Sequence, residues 1–156
     1  QLDIKGAKSE NSISTIYMGS YTGFELDNET VLNFTDVKVE GQDFVVKSTN
    51  ANSEININGN SELAGNVINA GVLNNDGIIS GNLTNSGVAT SSADNLKGAI
   101  NNTGTLNLTD GTLGVYVTGT GDTYLDEALT LNKGAGFEGT LNLNSTELTL
   151  SPGEDS

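Results

Sequence analysis

The chain has 156 residues, of which 35% are hydrophobic and 5% aromatic, while Gly, Asn, Thr and Ser together make 73. It contains no His, Cys, Arg or Trp, which excludes an imidazole base or metal ligand, thiolate and disulfide chemistry, and a guanidinium clamp for phosphate or carboxylate. Six Lys against twenty Asp and Glu leave a formal charge of −14, which excludes nucleic acid and anionic lipid heads as partners, since both are held through basic residues.

The chain opens QLDIKGAKSENS, which has no apolar signal core, so an export signal is expected outside this sequence. No stretch approaches the 18 apolar residues of a membrane-spanning helix. Residues 1–48 hold five of the eight aromatics (Tyr17, Tyr21, Phe24, Phe34 and Phe44) and strand signals over 30–34 and 37–39. They are expected to form an N-terminal cap with irregular early coils, because an uncovered first coil would expose a strand edge.

From residue 49 onward the chain repeats. GNVINAGV (65–72), GNLTNSGV (81–88) and GAINNTGT (98–105) stand 16 and 17 residues apart. In register they align the aliphatics Val67, Leu83 and Ile100, the amides Asn69, Asn85 and Asn102, and the glycines Gly71, Gly87 and Gly104. GTLNLTDGTL at 104–113 returns as GTLNLNSTELTL at 139–150, 35 residues on and about two periods away. Within the repeats the aliphatics alternate with period two, as in Leu106-Asn107-Leu108 and Leu129-Thr130-Leu131, the signature of a strand with one buried face. Each run is short and ends in Gly, Asn or Asp, which suit tight corners. One coil cannot bury its own aliphatics, but stacked coils bury them in a column. The fold class expected is all-β: a right-handed parallel β-helix of about 16–17 residues per coil or slightly more, with one solenoid domain over 49–156. The tail at 151–156 reads as a stop or an excision point.

The segments 69–87 and 97–113 resemble the passenger regions of bacterial autotransporters and related β-helical surface adhesins. The resemblance covers roughly 50–150 and rests on composition and repeat style. It implies secretion, display at the bacterial cell surface outside the outer membrane, and adhesion or self-association, with a host glycan, a host protein or another copy as partner. No translocator barrel and no protease motif of that family accompany it, so the chain reads as a fragment of a larger protein with no direct membrane insertion.

Asn69, Asn85 and Asn102 are expected to bond from coil to coil as a structural ladder. Asp122, Asp126 and Glu127 loosely resemble a calcium loop, but the Gly-Asp turn occurs once, so a solvated acidic turn is expected, with no metal and no cofactor. The same carboxylates raise the alternative of a carbohydrate-active β-helix enzyme, although no catalytic residue is assigned. Thr103/Thr105 and Thr118/Thr120 raise an ice-binding solenoid, yet the in-register positions Gly71, Leu73, Gly87 and Ala89 do not continue the pairs. A Lys–Asn isopeptide crosslink needs Lys, Asn and an acid buried together, and Lys38 and Lys47 look exposed. The candidate ligand-binding residues are Tyr116, Tyr124, Asp122 and Asp126, an aromatic surface beside carboxylates that suits a sugar.

Overall fold

The computed structural model describes residues 1–151, so the tail reading falls, beyond Ser151, outside the described residues. Among those residues there are twenty-two short strands and one 3-10 turn. The first coil is β1 (Leu2–Lys5), β2 (Ser14–Tyr17) and β3 (Gly23–Leu26), and the second is β4 (Val31–Thr35), β5 (Val37–Glu40) and β6 (Val45–Ser48). The third is β7 (Glu54–Asn58), β8 (Glu62–Leu63) and β9 (Asn66–Asn69), and the fourth β10 (Val72–Asn75), β11 (Ile78–Ile79) and β12 (Leu83–Asn85). The fifth runs from β13 (Val88–Ser91) through the 3-10 turn Ala93–Asn95 to β14 (Ile100–Asn102). The sixth is β15 (Thr105–Leu108), β16 (Gly111–Leu113) and β17 (Tyr116–Thr118), and the seventh β18 (Asp122–Leu125), β19 (Leu129–Leu131) and β20 (Gly136–Phe137). β21 (Thr140–Leu143) and β22 (Leu148–Leu150) begin an eighth.

Corresponding strands of successive coils pair in parallel. The first strands form an eight-stranded sheet, β1-β4-β7-β10-β13-β15-β18-β21, and the third strands a seven-stranded sheet, β3-β6-β9-β12-β14-β17-β20. The middle face is divided into β2-β5-β8-β11 and β16-β19-β22. The 3-10 turn fills the gap between them, and a bridge from Ile79 to Leu96 keeps the apolar column continuous across it. The molecule is a β-solenoid of about 7 coils with about 18 residues each.

The repeat of 16–17 residues holds in the middle of the chain, where Val72 pairs with Val88, Val88 with Thr105 and Thr105 with Asp122. Elsewhere the coils are longer: Glu54 lies beside Val72, Asp122 beside Thr140, Val31 beside Glu54 and Leu2 beside Leu32. The excess is in the connections. Between β1 and β2 the chain makes an excursion closed by an antiparallel bridge from Lys8 to Ile13. Residues 2–48 thus supply two coils that add to the same sheets as the repeat region.

Alternation in sequence becomes alternation in burial. In β7 and β10 the residues Ile55, Ile57 and Leu73 point inward and are fully buried, while Glu54, Asn56, Val72 and Asn74 point outward. Val67, Leu83 and Ile100 are register partners in one inward column of the seven-stranded sheet. Each such side chain contributes on the order of 1.5–3 kcal/mol by burial. Phe24 and Phe34 meet edge to face, with ring centroids 5.8 Å apart, where the first two coils join.

Candidate functional site

Two sets of asparagines run along the solenoid, one inside and one outside. The inner set lies where the seven-stranded sheet turns into the eight-stranded one. Ser48 Oγ donates to Asn69 Oδ1 (3.0 Å), Asn69 Nδ2 to Asn85 Oδ1 (2.8 Å), and Asn85 Nδ2 to Asn102 Oδ1 (2.8 Å). Each amide also reaches a corner carbonyl: Asn69 bonds Gly71 and Val88, Asn85 bonds Gly87 and Thr105, and Asn102 bonds Asp122. All three are buried, so this ladder satisfies the backbone of the corner and offers nothing to a ligand. The glycine two residues on is required by proximity: a Cβ on Gly87 would lie 2.1 Å from the Gly71 carbonyl oxygen, and one on Gly104 2.2 Å from that of Gly87.

The outer set lies on the solvent face of the eight-stranded sheet. One outward row is Asp3, Asn33, Asn56, Asn74, Thr90, Asn107, Tyr124 and Asn142, each the register partner of the next. Asn33 donates to Asp3 (2.7 Å), Asn56 to Asn33 (2.8 Å) and Asn74 to Asn56 (2.9 Å), while Asn107 donates to Thr90 (3.3 Å). Bonds from Asn33 and Gln1 hold the Asp3 carboxyl below its ordinary 3.8. The parallel row is Val31, Glu54, Val72, Val88, Thr105, Asp122 and Thr140. Val88 is the most open apolar side chain of these two rows, at 43% exposure.

The residues singled out as a ligand patch divide between two faces. Asp122 and Tyr124 point outward from β18, and Asp126 follows just past its end. The extended run from Asp122 to Leu125, about 10 Å of backbone, lies between them, which sets the two residues at opposite ends of the strand. Asn144 donates to Asp126 (2.7 Å), and among the described residues no three carboxylates gather into a metal-binding group. Tyr116 is on β17, in the seven-stranded sheet, at 46% exposure. Its ring lies over Gly136 of the next coil, where a Cβ would come 2.9 Å from Cε2. Tyr116 therefore belongs to a different surface from Tyr124.

Thr103 and Thr105 straddle the corner at Gly104, and Thr118 and Thr120 the corner at Gly119, so neither pair lies flat on one face. The nearest approach to a Lys–Asn–acid constellation is Lys8 Nζ on Asn60 Oδ1 (3.0 Å), with Asn60 Nδ2 on Asp36 Oδ1 (2.9 Å). These bonds lie at the exposed surface, so the three groups are not buried together as a crosslink requires. Lys38 is ion-paired to Glu40 at 2.6 Å, which raises its pKa above the usual 10.5.

Sequence reasoning passed over the outer amide row, although a signal for it exists. Asparagine between two apolar residues recurs as Leu32-Asn33-Phe34, Ile55-Asn56-Ile57, Leu106-Asn107-Leu108 and Leu141-Asn142-Leu143. The unequal coil lengths hide that these triplets share one face. No protein-family model matches the chain, and no curated protein or solved structure does either.

Proposed function

We propose that this chain is a non-enzymatic binding stretch of a secreted bacterial surface protein, an adhesin-type solenoid acting in adhesion or self-association. Its binding surface is the solvent face of the eight-stranded sheet, and its partner is a host-surface glycan, a host protein or another copy of the chain. One observation carries this reading: two outward rows, one rich in amides and one partly apolar, continue from coil to coil along that face. A regular rigid face presents the same chemistry many times over, which favours weak multivalent attachment over catalysis at a point. An enzyme would instead need carboxylates converging in one groove, and Asp122 and Asp126 stand at opposite ends of β18, Asp126 just beyond it.

The test is adhesion of chain-coated beads to epithelial cells. Asn74→Lys with Thr90→Lys, on the proposed face, should abolish bead attachment. Thr84→Lys with Asn101→Lys, on the outer face of the seven-stranded sheet, should leave it unchanged. Absence of attachment by the parent chain, or equal attachment by both variants, would contradict the proposal.

A further inference from the structure

The sequence holds one Asn-Gly step, Asn58-Gly59, and the fold leaves it open. Asn58 is the last residue of β7 and pairs with Thr35 on the preceding coil. Toward the following coil, the pairing of β7 with β10 stops one residue earlier, at Ile57 and Asn75. Asn58 and Gly59 are both exposed. Gly59 turns the chain with a φ of +44°, and a Cβ built on it would meet nothing within 4 Å. Its N–H donates no hydrogen bond among the described residues. The Asn58 side chain is held by a single exposed bond, from Nδ2 to Thr35 Oγ1 (3.2 Å).

We infer that Asn58 is a site of spontaneous deamidation, a covalent modification that changes the charge of the protein as it ages. Asparagine is among the thermolabile residues, because its amide carbon lies within reach of the next backbone nitrogen. The Gly59 nitrogen attacks Asn58 Cγ and gives up its proton as the N–Cγ bond forms, and Nδ2 leaves with that proton as ammonia. The resulting five-membered imide takes up one water. Opening at one carbonyl leaves an aspartate at position 58, and opening at the other routes the main chain through the side chain as an isoaspartate. Glycine favours the ring closure, since no side chain crowds the attacking nitrogen and the backbone can rotate into line.

The fold closes the comparable steps. Asp76-Gly77 and Asp110-Gly111 form the same imide with water as the leaving group, but Gly77 is buried and its N–H donates to the Ile57 carbonyl (3.1 Å). Gly111 lies within β16, paired to Leu129. In Asn52-Ser53 and Asn60-Ser61 the serine N–H groups donate to the Asn50 and Asn58 carbonyls. Conversion at position 58 adds one negative charge to a net −14, on the outward row Lys5, Thr35 and Asn58 of the eight-stranded sheet. The inference does not depend on the binding reading above.

Incubation of the folded chain in warm, mildly alkaline buffer tests the inference, with peptide mapping by mass spectrometry as the readout and a synthetic peptide of residues 54–62 as the unfolded reference. The chain should exchange NH for O at position 58 before any other asparagine, at a rate within about ten-fold of the peptide's, a small rise in barrier. Part of the product should accept a methyl group from an isoaspartyl methyltransferase, which ordinary aspartate does not. Gly59→Ala and Asn58→Gln should each slow conversion at position 58 by about ten-fold or more, with the melting temperature confirming that both variants fold. Conversion of Asn11 or Asn144 ahead of Asn58 would overturn the inference. So would a folded chain still unmodified when the peptide is fully converted, or Gly59→Ala converting as fast as the parent.

Discussion

Asn85 and Asn74 are the same residue type in the same repeat, yet they do opposite things. Asn85 is fully buried and ties three coils together, so Asn85→Ala removes the bond from Asn69 and leaves the buried Asn102 Oδ1 without its donor, and should cost about 3 kcal/mol in a denaturant titration. Asn74→Ala removes an exposed side chain and should change stability by less than about 0.5 kcal/mol. Gly87→Ala pushes a Cβ into the Gly71 carbonyl and should cost about 1–3 kcal/mol, read from the same titration. Thr123 supplies the converse case: it is fully buried in a column between Leu106 and Leu141, and its hydroxyl has no partner among the described residues. Thr123→Val keeps the shape and removes the stranded hydroxyl, so it should stabilise the protein by about 1 kcal/mol. The inner asparagines were legible in the sequence because their spacing to the corner glycine is constant at two residues. Thr123 was not, because it occupies an aliphatic position in a chain with 18 threonines.

At the scale of the strand, the aliphatic column Val67–Leu83–Ile100 tests whether the coils are stacked in the register described. Leu83→Asp places an unpaired carboxylate at a fully apolar point and costs several kcal/mol against a total of about 5–15. The variant should lose its cooperative melt, as followed by circular dichroism; an unchanged melting temperature would show that Leu83 is not in the core. This column could be read from sequence because coils four to six have nearly equal lengths. The early coils could not, since the excursion around Lys8 and Ile13 and the longer loops separate equivalent strands by 23 to 30 residues. The split of Tyr116 from Tyr124 was missed for a related reason. Period two fixes which side of a strand a residue takes, but the corner at Gly119–Gly121 decides which sheet it joins.

Over the whole molecule, three faces share one thin core and an acidic surface of net charge −14. Self-repulsion of that size opposes compaction and is screened by salt, so the melting temperature should rise as sodium chloride is added. A chelator should leave it unchanged, because the carboxylates of Asp122 and Asp126 do not converge; a fall of several degrees would restore a cation to that turn. All of these expectations depend on parallel stacking, in which each strand lies beside its counterpart one coil away. Because the chain has no cysteine, engineered pairs measure that stacking directly. Thr84 and Asn101 are register partners on the outer face of adjacent coils, at a neighbour spacing of about 4.8 Å that a disulfide can bridge. Thr84 and Thr118 are two coils apart, about 9.6 Å and beyond its reach. On mild oxidation Thr84→Cys with Asn101→Cys should lose two hydrogens by intact mass, and Thr84→Cys with Thr118→Cys should stay reduced as a monomer. Crosslinking of the second pair and not the first would contradict the stacked coils.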